Sequence, residues 1–259
     1  MIELKTSYTF SRVPYITNDA LDDYAEALVA DFAPERLNTP GIFDAEGFLE
    51  YYLGLTIRYM QIRYDRKVLG MTAFNTGVLK VANEKTGLPD AVPVEKGTVI
   101  LDSSLTAKRS VPRLRFTTLH EGVHWILHRE AYSPDNPFGH IGIYENKFLA
   151  AKEGNGDYVR SEKERTDVER MERQADFLSS AILMPRPALR KAYCDFFNFY
   201  NEKPRRRIIR GASPLDDCYA AQLPQYVAKL FGVSEKAALI RLEKLTAIVD
   251  SRTWRGARA

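Results

Sequence analysis

The chain has 259 residues, of which 45% are hydrophobic and 27% are charged, and its formal net charge is +3. These proportions are typical of a folded globular protein and exclude wholesale disorder, and the small net charge does not by itself indicate a nucleic acid or membrane partner. The sequence has only two cysteines, no signal-peptide pattern and no apolar run of 18 residues, so it predicts a cytoplasmic protein without a transmembrane helix.

The N-terminal part of the chain predicts two helices followed by a small sheet. Apolar residues at helical spacing predict the first helix over 18–31. Asp44 is a suitable N-cap for a second helix, and Gly54 can take the left-handed conformation that ends it. β-branched and aromatic residues then predict four strands, over 55–64, 68–74, 77–82 and 98–102.

The pattern after Asp102 is helical almost to the C-terminus. Breaks are expected at the prolines of this part, which are Pro134, Pro137, Pro185, Pro204, Pro214 and Pro224. Helices, then a small mixed sheet, then a helical majority indicate an α+β fold. We expect a core over 1–190, a C-terminal helical region over 191–250 packed on it, and a flexible basic tail over 251–259. The stretch 131–165 is long for a connection, and a hairpin, short helix or lid is expected there.

One short segment carries the residues of a catalytic zinc site. In a helix, His120 and His124 lie on one face and can direct ring nitrogens at a single ion. Glu121 lies next to them, where it can take a proton from a metal-bound water without being a ligand. His128 lies about 12 Å along the helix axis from His120, too far to share the ion. His140 is interpreted as a surface histidine.

The third ligand is expected from a second helix, predicted over 160–184. Glu172 and Asp176 share one face of this helix, because they are four residues apart. Glu172 would complete three protein ligands and leave the fourth position to water. Asp176 would accept the second ring N–H of a ligand histidine and so fix its tautomer. Their position alone leaves open the alternative that both acids belong to a solvated, charge-rich face.

Two segments together resemble the paired signatures of the ImmA/IrrE-type zinc metallopeptidases. They are Arg115-Phe-Thr-Thr-Leu-His-Glu with the later His124 and His128, and Glu172-Arg-Gln-Ala-Asp with the later Leu183-Met-Pro185. Weaker similarity extends over roughly 15–248. The resemblance implies a zincin-like peptidase core that binds one zinc ion through His120, His124 and Glu172, with Glu121 as the catalytic base. Members are commonly encoded by phages and integrative elements, and several cleave or inactivate a neighbouring helix-turn-helix repressor, which implies such a repressor as substrate.

Three features depart from the family pattern. The residue before the second histidine is usually Gly or Ala, whereas here it is Val123, with Gly122 one place earlier. Asp176 replaces the usual Asn, which keeps an acceptor but adds a charge. The spacing from His124 to Glu172 is long, so 131–165 is interpreted as an insertion. An oxyanion stabiliser is expected in or near it, with four candidates: Tyr132, His140, Tyr144 and Tyr158.

Two other functions compete with the peptidase. Ala228, Gly232 and Ala238 occupy positions typical of a DNA-binding helix-turn-helix, and a basic stretch over 203–210 lies nearby. Two helices packed on a protein core give the same pattern, and Arg241 distinguishes the two. A groove-reading helix would expose this side chain, whereas a structural helix would pair it with a carboxylate. The second competitor is a metal-binding sensor without turnover.

Overall fold

The computed structural model describes residues 6–137, 143–147 and 166–253. By its internal contacts the chain divides into two compact units. One unit combines Met1–Leu21 with Asp44–Ser179, and the other combines Asp22–Phe43 with Ser180–Ala259. Each unit therefore draws on two separate stretches of sequence.

Helices form the larger part of the regular structure, as predicted for an α+β chain. In the described ranges the α-helices are α1 (Asn18–Phe32), α2 (Pro34–Asn38), α3 (Ala45–Gly47), α4 (Val111–His128), α5 (Asp167–Leu183), α6 (Arg186–Phe199), α7 (Pro214–Phe231) and α8 (Glu235–Lys244). Short 3₁₀ turns cover Ser103–Thr106, Lys108–Ser110 and Arg129–Tyr132. None of the helices in these ranges is both long and apolar enough to cross a membrane.

The strands are short and form small sheets. In the described ranges they are β1 (Ser7–Tyr8), β2 (Pro14–Tyr15), β3 (Thr56–Met60), β4 (Val68–Ala73), β5 (Gly77–Val81), β6 (Asp90–Val94), β7 (Thr98–Asp102), β8 (Ile143–Lys147), β9 (Ile208–Arg210) and β10 (Ile248–Asp250). The largest sheet has the order β3-β7-β4-β8, with β3 parallel to β7 and the other pairs antiparallel. This is the small mixed sheet that the sequence predicts.

Strand β4 is buried on both faces, which places it at the centre of the first unit. Met71 and Ala73 belong to an apolar cluster that also contains residues of β5, β6 and β7. Because side chains alternate along a strand, Gly70 and Thr72 point to the opposite face, and there they meet helix α4. The sheet therefore presents one small and one hydroxyl-bearing residue to the helix that carries the histidines.

The second predicted helix is partly a π-helix. Its N-cap is confirmed, because the Asp44 side chain accepts a hydrogen bond from the Gly47 N–H at 3.0 Å. The chain then widens into a π-helix over Phe48–Tyr52. Gly54 ends the segment with φ +67, the left-handed conformation predicted for it.

One expectation from proline is wrong, and one strand that contains a proline is not predicted by the sequence. Pro224 does not break a helix but lies inside α7, where it is buried beside Leu223 and Val227. A proline inside a helix costs about 3 kcal/mol, and burial of apolar neighbours of this kind offsets such a cost. Pro93 lies in β6, a strand that the sequence does not predict. This strand pairs only with β5 in the described residues, and the edge position tolerates the missing N–H.

The second unit consists of packed helices with a two-stranded parallel sheet, β9-β10. Helix α7 packs against both α6 and α8, and α2 packs against α6. Arg241 on α8 is 1% exposed, and it donates hydrogen bonds to the Asp22 carboxylate at 2.5 Å and the Met184 carbonyl at 3.2 Å. Helix α8 is thus paired with a carboxylate, as a structural helix is. In the basic stretch, Arg205 pairs with Asp216.

Candidate metal centre

Helix α4 holds the HExxH segment in the interior of the first unit. Pro112 lies in its first turn, where the missing N–H has no helical partner to lose. The helix packs against β4 and β7. His120 is 3% exposed, and Glu121 and His124 are completely buried. Polar groups buried in this way must be satisfied by specific partners, so the contacts around them define the site.

The displaced glycine of the motif has a packing reason. A Cβ at Gly122 would lie 2.6 Å from Cδ1 of Leu49, in the π-helical segment. Only glycine allows this close approach of the two helices without a shift of Leu49. Val123 is completely buried in the same helix. The glycine at 122 is therefore explained by how closely α4 approaches the preceding helical segment.

The structure brings His120, His124 and Glu172 together. Their ligand atoms all lie within 4.8 Å of one another. The two Nε2 atoms are 2.9 Å apart, and the Glu172 carboxylate oxygens lie 3.4 Å from Nε2 of His120 and 3.6 Å from Nε2 of His124. Tetrahedral zinc with bonds of about 2.0–2.1 Å requires ligand atoms about 3.3–3.4 Å apart. The separations bracket this value, and two imidazoles with one carboxylate are a donor set that zinc accepts.

Asp176 lies behind His120, where the sequence predicted a partner for a ligand histidine. Its Oδ1 is 3.0 Å from Nδ1 of His120, and the Asp176 side chain is 59% exposed. Burial lowers the pKa of His120, but the hydrogen bonds and charges of Asp176 and Glu172 outweigh it and raise this pKa to about 10. With its pKa raised, His120 holds a second ring proton. This proton and a metal ion would compete for Nε2, the ring nitrogen that faces Glu172.

Glu121 is held against strand β4 rather than among the metal-ligand atoms. The Thr72 hydroxyl donates a hydrogen bond to its Oε2 at 2.7 Å and also lies 3.0 Å from its main-chain oxygen. A Cβ at Gly70 would come within 2.5 Å of Oε1, so glycine leaves the space that this carboxylate occupies. No sequence signal indicates Gly70 or Thr72, because the contact joins residues about 50 positions apart on a strand and a helix.

His128 and Gln174 take part in the site without belonging to the ligand cluster. Nδ1 of His128 is 2.9 Å from Nδ1 of His124, and its Nε2 is 2.9 Å from Oε1 of Gln174. His128 thus lies outside the cluster of His120, His124 and Glu172, yet it contacts the other side of the His124 ring. The spacing of four residues from His124 was the available signal for this contact. Gln174 had no such signal.

Of the four candidates for an oxyanion stabiliser, Tyr132 is the one whose side chain the structure describes. Its ring stacks on Phe74 with centroids 4.2 Å apart. Burial raises the pKa of Tyr132, and the negative charges of Glu172 and Glu121 raise it further. Tyr132 is therefore a neutral phenol close to both carboxylates. Tyr144 lies in strand β8, whereas His140 and Tyr158 lie outside the described residues.

Comparison with known proteins places the chain in a family. Residues 79–243, more than half of the chain, match the family model for the IrrE N-terminal-like domain, Peptidase M78. The matched range includes both helices that carry the three clustered residues. No curated protein matches the chain. The family match supports a metallopeptidase-type function, and the His-His-Glu cluster can hold a metal ion. The chain belongs to the IrrE N-terminal-like (Peptidase M78) family.

Proposed function

We propose that the protein is a zinc-dependent endopeptidase with a zincin-like core. In this proposal His120, His124 and Glu172 hold the ion, and Glu121 is the catalytic base. The observation that carries it is the convergence of three ligand atoms within 4.8 Å, together with the fully buried carboxylate of Glu121, the neighbour of His120 in the sequence. The same donor set, with one position left to water, is used by catalytic zinc in other peptidases.

The protein's residues divide the chemistry between them. Bound zinc supplies a Lewis acid and a water whose pKa falls to about 7. Glu121 takes the proton of the attacking water on its carboxylate and returns it to the leaving amine. The Thr72 hydroxyl holds Oε2 of this carboxylate at 2.7 Å, which limits the orientations that Glu121 can adopt. Buried and oriented, the base needs little rearrangement when the proton is transferred.

Tyr132 is our candidate for stabilising the developing oxyanion. A hydrogen-bond donor aimed at the oxyanion typically contributes 10²- to 10³-fold to the rate. Burial and the charges of Glu172 and Glu121 raise the pKa of Tyr132, so the phenol keeps its proton and can donate it in a hydrogen bond.

The proposed substrate is a regulatory protein, in the first place a helix-turn-helix repressor encoded beside the gene. This part of the proposal rests on the resemblance to the ImmA/IrrE-type peptidases. Two alternatives remain, a DNA-binding regulator and a metal sensor without turnover. The buried pairing of Arg241 with Asp22 counts against a groove-reading helix α8. The sensor is distinguished from the peptidase by turnover alone.

The test begins with metal analysis of protein purified without added ions. We expect about one zinc per chain, and absence of stoichiometric metal would overturn the whole proposal. The wild type and the Glu121→Gln variant are then incubated with the repressor. Both should contain metal, and the variant should cleave about 10²- to 10⁴-fold more slowly, the usual contribution of a general base.

Glu130→Gln is the matched control, because Glu130 carries the same carboxylate with 58% of its side chain exposed. It should cleave at the wild-type rate. Equal rates for the wild type and Glu121→Gln would remove Glu121 from the mechanism. Metal-loaded wild type that leaves the repressor and an unfolded protein substrate intact would assign a sensor role instead.

A further inference from the structure

A buried chain of polar groups leads from the main chain at Pro14 to His124. The Gln174 amide Nε2 lies 2.6 Å from the Pro14 carbonyl oxygen, and its Oε1 lies 2.9 Å from Nε2 of His128. Nδ1 of His128 lies 2.9 Å from Nδ1 of His124. The side chains of Gln174, His128 and His124 are all completely buried. In such surroundings each of these hydrogen bonds must have a donor and an acceptor.

The Pro14 carbonyl sets the direction in which the hydrogen bonds of this series are donated. A carbonyl oxygen can only accept a hydrogen bond, so the group that Gln174 turns towards Pro14 must be its NH₂. The amide oxygen of Gln174 therefore faces His128 and accepts. It follows that the proton of the neutral His128 ring is on Nε2, and that its Nδ1 carries a lone pair.

The same reasoning fixes the tautomer of His124. Its Nδ1 faces the lone pair on His128 Nδ1, so it must be the protonated nitrogen. Nε2 of His124 is then bare, and this is the atom that lies 2.9 Å from Nε2 of His120 and 3.6 Å from Glu172. Both rings are completely buried, and burial away from water disfavours the charged form of histidine. Each neutral ring therefore has a single proton to place.

We propose that Gln174 and His128 are positioning residues that present His124 to the metal as its Nδ1–H tautomer, an inference that rests on the ligand assignment of the proposed function. Neither residue touches the ion. They act by holding the ring plane and by keeping the proton off Nε2, the atom that must bind. His120 has a different support, the exposed carboxylate of Asp176. His124 is thus oriented by a buried neutral pair, Gln174 and His128, which we call the relay. His120 is oriented by an exposed charged group, the Asp176 carboxylate.

The tautomer can be read directly in metal-free protein labelled with ¹⁵N-histidine. The chain contains only four histidines, and a bare ring nitrogen and a protonated one have well-separated ¹⁵N shifts. We expect His124 with protonated Nδ1 and bare Nε2, and His128 with protonated Nε2. A wild-type spectrum with the proton on Nε2 of His124 would overturn the proposal, whatever the protein does with metal.

The second measurement is zinc affinity by competition with a chelator of known affinity. His128→Phe keeps a ring but removes both nitrogens, and it should weaken binding about 10- to 100-fold, as does loss of an outer partner of a ligand histidine. Gln174→Leu should have a similar effect and mix the two tautomers of His124. His128→Gln restores an acceptor towards His124 and a donor towards Gln174, so it should bind within about fivefold of the wild type.

Thr118→Val is the control for a general loss of buried polarity. Thr118 is completely buried on the same helix, and its hydroxyl donates to the Leu114 carbonyl at 2.9 Å within α4. This variant should keep wild-type affinity and the wild-type His124 spectrum. If Gln174→Leu fails to fold, the contrast between His128→Phe and His128→Gln carries the test.

The outcomes separate the inference from the proposed function. A wild type that binds no zinc defeats the proposed function, while the spectrum of the metal-free protein still decides the tautomer. A wild type that binds zinc, with His128→Phe binding equally tightly, defeats the relay and leaves the metal site intact. Equal weakening in His128→Phe and His128→Gln would also overturn the relay, because it would show that packing at this position, and not its hydrogen bonds, matters.

Discussion

Helices α4 and α8 both bury ionisable side chains. The buried group on α8 is paired with a group of opposite charge, whereas the buried groups on α4 converge with other electron-pair donors. On α8, the positive guanidinium of Arg241 meets the negative carboxylate of Asp22 at 2.5 Å. On α4, Nε2 of His120 and Nε2 of His124 converge at 2.9 Å, and a third electron-pair donor comes from Glu172. The first set is complete by itself. The second set gathers electron-pair donors, and a positive ion would complete it.

This difference shows why burial alone does not identify a functional site. Both helices carry a sequence pattern that suggests activity, one for metal and one for DNA. The pattern on α8 is explained by the packing of Arg241, which is 1% exposed. The pattern on α4 brings together lone pairs that would repel one another without a proton or a metal between them. Four changes, ordered from the largest expected effect to the smallest, test whether this distinction holds.

Glu172→Ala should abolish stoichiometric zinc binding. The variant leaves two histidines as ligands, whereas catalytic zinc sites use three protein ligands. The fold should survive, because 30% of the Glu172 side chain is exposed. Metal analysis after dialysis measures the effect, with Glu169→Ala as the control for removal of an exposed carboxylate on the same helix. Full metal retention by Glu172→Ala would show that the third ligand is another residue.

Arg241→Met should destabilise the protein without changing its metal content. Removal of one partner leaves the buried Asp22 charge uncompensated, which typically costs about 3–5 kcal/mol. Denaturant unfolding measures this loss. Arg210→Met is the control: Arg210 forms a more exposed pair with Glu243 at 3.2 Å, and loss of such a pair costs about 0–1 kcal/mol. Loss of metal in the Arg241 variant would contradict the separation drawn between the two helices.

Gly70→Ala should impair turnover while zinc remains bound. The new Cβ would lie 2.5 Å from Oε1 and 2.8 Å from Cγ of Glu121, so the base must move. A displacement of about 1 Å in a catalytic group can cost up to about 10²-fold, and we expect a loss of about 10- to 100-fold in kcat. Gly77→Ala on strand β5 is the matched control, because a Cβ there meets nothing within 4 Å. Unchanged kcat in Gly70→Ala would show that the position of Glu121 is not critical.

The elements that the sequence predicts well are those whose signals are local. Helix α1 begins at the predicted residue and ends one residue later than predicted, and strand β7 has both predicted ends. The three clustered residues were also within reach, because His120 and His124 are one helical turn apart and Glu172 belongs to a second recognisable segment. Once a segment is known to be helical, the spacing of the motif residues predicts that their side chains lie on one face.

The surroundings of those residues were not predictable in the same way. Thr72 meets Glu121 across 49 positions, and Gln174 reaches the Pro14 carbonyl across 160. Such contacts depend on which face of a strand packs against which face of a helix. The periodicity of one segment shows which of its own faces is apolar, but not which other segment packs against that face. Pro224 shows the converse, because it lies inside α7 although the sequence predicts a break there. There, tertiary packing overrides a strong local signal.

Asp176→Asn should have the smallest effect of the four, because it keeps an acceptor for Nδ1 of His120 and restores the residue usual in the family. The Asp176 side chain is 59% exposed, so water screens its charge and can replace part of its contact. We expect zinc affinity within about fivefold of the wild type, and a loss of about 10-fold in Asp176→Ala, the low end for an outer partner of a ligand.

Chelator competition on Asp176→Asn, Asp176→Ala and His128→Phe side by side would rank the two supports. If the buried relay holds its histidine more firmly than the solvated carboxylate does, His128→Phe must weaken zinc binding more than Asp176→Ala. The reverse order would mean that charge near the ion outweighs tautomer control. In that case the charge of Asp176, and not the tautomer of His124, would be the main outer contribution to zinc affinity, since an exposed carboxylate acts on a cation chiefly through its charge.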